Sequence, residues 1–371
     1  MANIFDYLKW RGDLSLEQSE FNEIDNLILS ELAYIPFEEI MEENETVSIK
    51  ELGERFTSKT INKTKIIQKE DINFFPLMAK TKRFGEMKAS KYVNKLNSEE
   101  EKQFSAITII MPDNTIYVSY RGTDYTIVGW KEDFNMSFKS HLAAQIDSVK
   151  YLQTIAENYT QLIRVGGHSK GGILAVYASV FVNEKIKKRI INVYNNDGPG
   201  FNDDVTNTEE YKKIIEKVHT YIPQDSFFGR LFNHEEKYTV VESSQKGIMQ
   251  HDLYSWKVLG NKLVHLKEVT NGSEFIDKTI KDWFKQTTPE QREQVVDIIF
   301  EIIKTTEAKT FLEIRSKWLT HAKTILTTYK NIAPENKRII IKTMSALLRI
   351  GTDNLWESRP KNIYLKKAKK E

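Results

Sequence analysis

The residues best suited to chemistry are Gly167-His168-Ser169-Lys170-Gly171. The apolar segment 162–165 precedes them, and a run of small and apolar residues follows from Gly172. This pattern is typical of a serine on a sharp turn between a strand and a helix, with glycines where side chains would collide. The sequence therefore predicts that Ser169 is a nucleophile, held on a turn that Gly167, His168 and Gly171 build.

A serine nucleophile needs a histidine to take its proton and a carboxylate to hold that histidine. On a sheet of parallel strands, the acid and then the histidine follow the serine, each on a loop after a strand. Strands are predicted at 190–194, 218–222 and 238–242. The loops after the second and third strands carry Asp225 and His251. We predict these two residues as acid and base; Asp197, after the first strand, is the alternative acid unless it only caps its turn.

Acyl transfer also requires hydrogen-bond donors for the negative oxygen that develops on the substrate. One predicted donor is the backbone N–H of Lys170, at the positive end of the helix that begins there. The second is Thr123, whose N–H and hydroxyl follow the predicted strand 115–120. The alternative for residues 121–124 is an ordinary turn with Arg121 in a salt bridge. We expect the Lys170 side chain to be solvated.

The elements around these residues alternate between strands and helices, which predicts an α/β fold with a mostly parallel central sheet. Residues 104–110 and 115–120 read as an antiparallel hairpin, and a capping box at Ser15–Gln18 predicts an amphipathic helix that ends at Pro36. Beyond residue 276 the pattern is helical throughout. We therefore predict a hydrolase-like domain over 1–275, a helical C-terminal appendage over 276–358 and a basic tail over 359–371.

Composition excludes several classes of site and partner. The chain has no cysteine, and its 54 basic and 52 acidic side chains leave a net charge of only +2. No metal motif or dinucleotide fingerprint occurs, so we expect no metal, no cofactor and no nucleic-acid partner. The absence of a signal-peptide pattern predicts a cytoplasmic protein. The basic tail is expected to be solvated, with weak contact to an anionic membrane surface as the alternative.

Four segments in the expected order resemble the class 3 lipases: 117–123 resembles their oxyanion segment, 165–172 their nucleophile turn, 222–225 their acid loop and 250–252 their histidine. Three further segments, 6–14, 129–136 and 196–201, are similar to a group of lipase-like bacterial proteins called Mbeg-like. The similarity extends to about Glu268.

This resemblance implies an α/β-hydrolase fold and a serine hydrolase that cleaves carboxylic esters of small molecules or lipids. It implies Ser169, Asp225 and His251 as the triad, with Thr123 and Lys170 as oxyanion donors. A thioesterase or acyltransferase would use the same residues. A non-catalytic protein that binds lipids or a partner on a hydrolase scaffold is the alternative from a different class.

Overall fold

The structure is a computed structural model. It describes residues 2–58, 61–62, 65–97, 102–124, 126–135, 139, 141–308, 317–342 and 345. The basic tail predicted for 359–371 lies outside the described residues.

One mixed sheet organises the fold. Within the described residues, eleven strands occur: β1 (Thr46–Ser48), β2 (Lys88–Asn97), β3 (Lys102–Ile110), β4 (Thr115–Tyr120), β5 (Leu162–His168), β6 (Ile190–Asn196), β7 (Val218–Pro223), β8 (Tyr238–Val241), β9 (Val258–Leu259), β10 (Lys262–Leu263) and β11 (His265–Leu266). Nine of them form a sheet in the order β1-β2-β3-β4-β5-β6-β7-β8-β11, and β9 pairs with β10.

The direction of the strands differs between the centre and the edges of the sheet. Strands β4 to β8 run parallel. Strands β1 to β4 pair antiparallel, as does β11 on β8. The predicted hairpin of β3 and β4 is confirmed, and the mostly parallel sheet of the prediction is parallel only in its five central strands. Because parallel strands place their carboxyl ends at one edge, the loops after β4, β5, β6 and β7 lie together.

Helices cover the sheet. They are α1 (Ile4–Arg11), α2 (Glu23–Leu32), α3 (Ile49–Ser58), α4 (Asp71–Ala79), α5 (Lys82–Gly85), α6 (Ile127–Asn135), α7 (Ala143–Asn158), α8 (Lys170–Phe181), α9 (Glu184–Lys187), α10 (Asp203–Thr206), α11 (Glu209–Ile214), α12 (Asn271–Gln286), α13 (Pro289–Lys304) and α14 (Trp318–Asn331). Short 3₁₀ turns cover Phe37–Glu39, Ile215–Lys217, Phe228–Arg230, Gly247–His251 and Leu253–Ser255.

The hydrophobic core is divided by the sheet into two parts. Tyr117 packs with α1, α2 and α4 on one face, whereas its neighbours Ile116 and Val118 pack with α7 and α8 on the other. Alternate residues of a strand point to opposite faces, so β4 contributes to both parts. Helix α8 is buried along nearly its whole length, which explains why its sequence is apolar on every side.

One predicted boundary, the start of the amphipathic helix, differs from the structure, and the division into domains stays a prediction. The N-terminal helix α2 begins at Glu23 with Asn22 as its cap, and Ser15–Gln18 instead forms a separate turn closed by reciprocal hydrogen bonds. The proposed division between residues 275 and 276 falls inside α12. In the part of the chain that the structure describes, no helix is both long enough and apolar enough to cross a bilayer.

Candidate active site

Ser169 occupies the turn between β5 and α8. Its backbone has φ 57° and ψ −129°, a combination that L-residues rarely adopt and that a well-determined surrounding structure must enforce. A Cβ on Gly167 would collide with the backbone of Gly171, and a Cβ on Gly171 would collide with the carbonyl oxygen of Tyr120. The two glycines are therefore required by close packing of β5, α8 and β4 around the serine.

His251 pairs with Asp197. Nδ1 of His251 lies 2.6 Å from Oδ2 of Asp197, and the histidine side chain keeps 21% of its surface exposed whereas the carboxylate keeps 1%. The other carboxylate oxygen accepts hydrogen bonds from the Ser226 hydroxyl at 2.5 Å and from the Gly229 N–H at 3.1 Å. These bonds hold the carboxylate in one orientation, so that it orients the imidazole ring.

The prediction that Asp225 holds His251 is wrong in this structure. The Asp225 carboxylate accepts from the Thr270 hydroxyl at 2.6 Å, from Gln250 Nε2 at 2.8 Å and from the Gly247 N–H at 3.1 Å. Asp225 thus fastens the turn that carries His251 to the start of α12, while the alternative acid, Asp197, reaches the ring.

Thr123 follows β4 and donates its hydroxyl to Asp133 Oδ2 on α6, at 2.5 Å. Burial raises the pKa of Asp133 to about 6, although the nearby Lys170 ammonium and the Thr123 hydrogen bond act in the opposite direction. When Asp133 is ionised, the Thr123 hydroxyl hydrogen is committed to it. Within the described residues, neither the backbone N–H of Thr123 nor that of Lys170, one of the four that lack a partner within α8, donates a hydrogen bond, so both are available as donors.

A cavity of about 210 Å³ brings these groups together. Its walls consist of Tyr34, Ile67, Gln68, Thr123, Asp124, Asp133, His168, Ser169, Phe228, His251 and Asp252. Within the described residues no hydrogen bond joins His251 to Ser169, and such bonds often tighten only when substrate binds. Nowhere in those residues do three or more His, Cys, Asp or Glu side chains form a group that could hold a metal ion.

A family profile matches the part of the chain that carries these loops. The profile of the Mbeg1-like family matches residues 78–301, more than half of the chain. The chain belongs to the Mbeg1-like family. The match confirms the Mbeg-like resemblance, and it includes Thr123, Ser169, Asp197 and His251.

Solved lipases are distant structural relatives of this Mbeg1-like chain. The native Rhizomucor miehei lipase propeptide complex is 14% identical, over 58% of this chain and 66% of the lipase, with a TM-score of 0.38. M37 lipase is also 14% identical, over 56% of this chain and 69% of its own, with a TM-score of 0.35. The match thus spans just under two thirds of the Rhizomucor miehei protein. None of the curated proteins compared with the chain matches it.

The Lys170 side chain of the Mbeg1-like chain is not solvated, contrary to expectation. It is 2% exposed, and its ammonium donates to Glu132 Oε2 at 2.9 Å and to the Gln103 carbonyl at 3.1 Å. Glu132, on α6, also accepts from the backbone N–H groups of Gln103 and Ala144. Instead of facing substrate, the lysine joins the nucleophile turn to α6.

Sequence reasoning placed His168 in the turn but missed its role. Its Nε2 lies 2.7 Å from the backbone carbonyl of His251, which can only accept, so Nε2 carries the hydrogen. Nδ1 then accepts from the Tyr34 hydroxyl at 3.1 Å. Burial, followed by the nearby His251, holds the pKa of His168 well below its usual range, so the ring is neutral. His168 therefore ties the loop that carries His251 to the turn that carries Ser169.

Proposed function

We propose that the chain is a serine hydrolase of the α/β-hydrolase type that cleaves carboxylic esters through an acyl-enzyme. The observation that carries the proposal is the 2.6 Å pair of His251 and Asp197 in the cavity that Ser169 lines. A histidine fixed by a buried carboxylate has one ring nitrogen free to act as a general base. The strained backbone of Ser169 supports its role as nucleophile.

In the proposed reaction, Ser169 Oγ attacks the ester carbonyl carbon while His251 Nε2 takes the hydroxyl proton. The negative oxygen of the tetrahedral intermediate accepts from the backbone N–H groups of Lys170 and Thr123. The C–O bond to the alcohol then breaks, and His251 returns its proton to the departing oxygen. Water, deprotonated by the same ring, attacks the acyl-enzyme, and collapse of the second intermediate gives the acid and restores Ser169.

The size of the cavity favours short acyl groups. Its volume of about 210 Å³ lies below the range of about 300–1,000 Å³ that is usual for ligand pockets. We therefore expect acetate and butyrate esters to be better substrates than esters of long fatty acids.

The test is hydrolysis of p-nitrophenyl esters of increasing acyl length by the wild type and by Ser169→Ala. We expect turnover that falls beyond short chains and is lost in the variant. Circular dichroism and thermal unfolding establish that both proteins are equally folded. Equal rates in the two proteins, or a folded wild type that neither cleaves any ester nor reacts with a fluorophosphonate, would overturn the proposal.

A further inference from the structure

The walls of the cavity carry unbalanced negative charge. Asp124, Asp133 and Asp252 all line it, and none of the described residues that line it is a lysine or an arginine. Lys170, directly after Ser169, pairs with Glu132 and does not line the cavity, although its ammonium lies near enough to Asp133 to lower the pKa of that carboxyl. Arg121 lies 3.7 Å from Asp124, which is a long ion pair. A ligand in this cavity therefore meets more carboxylate than ammonium or guanidinium.

One carboxylate oxygen in the cavity wall has no partner. Oδ2 of Asp133 accepts from Thr123, but Oδ1 is buried without a hydrogen bond. A buried carboxylate oxygen without a donor is unfavourable unless a cation or a donor reaches it. This unsatisfied oxygen adds to the number of acids a reason for the wall to attract a group with positive charge or N–H donors.

Further carboxyl groups lie behind Asp252. Both carboxylate oxygens of Glu31 are buried without partners, and Asp71 lies close enough to affect it. Burial raises the pKa of Glu31 well above its usual range, and repulsion from Asp71, Asp252 and Glu70 adds to the effect. The positive group that faces Asp252 from this side is Lys69, whose side chain is 89% exposed. Because a raised pKa favours the uncharged form, Glu31 adds a carboxyl group but little negative charge, and the charge that faces a ligand is that of the acids in the cavity wall.

Aromatic rings complete the lining. The ring centroid of Phe228 lies 4.3 Å from that of His251, and the ring centroid of Tyr34 lies 5.9 Å from that of His168. Aromatic faces attract cations, and rings combined with carboxylates are a common way of binding organic ammonium groups. A strongly hydrated metal cation would gain less from such rings.

We propose that this site prefers esters that carry an ammonium group. The inference rests on the proposed hydrolase function, since it assigns a substrate class to the same cavity. In this arrangement the ester carbonyl lies at Ser169, and the ammonium group lies among Asp124, Asp133, Asp252 and the ring of Phe228.

The experiment compares two esters of the same shape, acetylcholine and 3,3-dimethylbutyl acetate, in which carbon replaces the charged nitrogen. We expect kcat/KM to be at least about tenfold higher for the cationic ester at low ionic strength, and the ratio to fall as salt screens the acids. A ratio of one or below would overturn the proposal and leave the hydrolase function standing if 3,3-dimethylbutyl acetate is cleaved with dependence on Ser169.

Variants test the assignment of the acids. Asp124→Asn and Asp252→Asn keep the oxygen that caps Thr126 and Tyr254, and each should lower the ratio at least about threefold. General loss of activity cancels in this ratio. Glu209→Gln removes an exposed acid on α11 and should leave the ratio unchanged. If the ratio is insensitive to Asp124 and Asp252, the preference does not arise here and the proposal fails.

Binding separates the inference from turnover. Ser169→Ala is titrated with each ester, and chemical shifts give the two affinities. Tighter binding of acetylcholine supports the charge preference even if neither ester is hydrolysed. The absence of hydrolysis would then count against the hydrolase function but not against the charge preference. Equal affinities, or tighter binding of the neutral ester, overturn the inference.

Discussion

At the scale of single residues, the acid of the proposed triad is the point on which sequence and structure disagree. Asp197 and Asp225 follow neighbouring parallel strands and end at the same edge of the sheet. Asp197 adopts φ 51° directly after β6, and its carboxylate reaches the ring of His251. Asp225 is fastened to Thr270, Gln250 and Gly247. Substitution of these two residues should therefore have different effects on kcat.

Asp197→Asn should lower kcat by about 10³- to 10⁴-fold, because the amide no longer holds His251 in the tautomer that accepts the serine proton. The matched Asp225→Asn keeps an acceptor oxygen for Thr270 and should stay within about tenfold of the wild type. Steady-state kinetics on a p-nitrophenyl ester measure both. Severe loss in Asp225→Asn together with near-normal Asp197→Asn would restore the original assignment.

Thr123→Val tests which part of Thr123 serves the oxyanion. Because the hydroxyl is committed to Asp133, its removal leaves the backbone N–H in place, and we expect kcat to fall only about tenfold. Loss of a direct oxyanion donor lowers kcat by about 10²- to 10³-fold. Thr123→Ser, which keeps the hydroxyl, should stay close to the wild type. A loss of 10³-fold in Thr123→Val would mean that the hydroxyl itself binds the oxyanion.

The strand-turn-helix around Ser169 and the position of His251 in a loop could be predicted from residue types and their order, and the catalytic roles of both residues stay predictions. The acid could not be chosen, since counting strands does not reveal which loop turns its carboxylate inward. The bond between His168 and the His251 backbone was also beyond prediction, because a carbonyl partner leaves no mark in the sequence. Lys170 was misjudged because its partner Glu132 lies 38 positions away, on a helix whose packing the sequence does not specify.

At the scale of elements, α6 links the loop after β4, which carries Thr123, to helix α13. Its inner side carries Glu132 and Asp133. Its outer side packs on α13: the ring of Phe134 lies 5.9 Å from that of Phe300, and Lys131 pairs with Asp297 at 2.8 Å. Helix α13 thus supports α6 from the side away from the nucleophile.

Phe300→Ala should remove this support. Phe300 is 2% exposed, so truncation should destabilise the protein by about 3 kcal/mol and lower kcat more than it changes KM, because α6 positions Asp133. Leu326→Ala, on α14 and 58% exposed, is the control and should affect neither. Urea unfolding and kinetics of the folded protein test this. A destabilised Phe300→Ala with unchanged kcat would show that α13 is needed only for stability.

Among the elements, hairpin β3–β4 and the strands of the parallel centre were predictable, since alternation and turn residues specify them locally. The start of α2 was not, because Ser15–Gln18 satisfies a capping pattern in a turn that no helix continues. The antiparallel strands at the sheet edges were also missed in part. Short edge strands such as β1 and β11 depend on partners far away in the chain, and their own sequences contain little periodicity.

At the scale of the whole molecule, buried acids make stability depend on pH. Burial raises the pKa of Asp71 to about 7, against its ordinary value near 4, although the hydrogen bond from Tyr254 opposes the shift. A raised pKa means that the folded state binds the proton more tightly than the unfolded state. The resulting stability is fully present below about pH 4 and is lost as the pH rises through about 7.

Asp71→Asn should therefore be more stable than the wild type at pH 8, by about 1 kcal/mol or more, and similar to it near pH 4. The amide oxygen still accepts the Tyr254 hydroxyl, so the packing is kept. Urea unfolding at several pH values gives the difference. Exposed Glu17→Gln should follow the wild-type profile, and a wild type that gains stability relative to Asp71→Asn as the pH rises would contradict the prediction.

The buried pair of Lys170 and Glu132 also limits the routes by which a substrate can reach Ser169, because it holds α6 in place. If α6 swung outward, the lysine beside the nucleophile would lose its carboxylate in a place without water, a step that costs several kcal/mol. Helix α6 should therefore behave as a fixed wall. On another side of the cavity, Ile67 and Gln68 precede α4, where the Gln68 N–H makes a 3.4 Å hydrogen bond to Asp71. We expect substrate to enter at these two residues. The entrance and the proposed catalytic residues would then lie on separate parts of the fold.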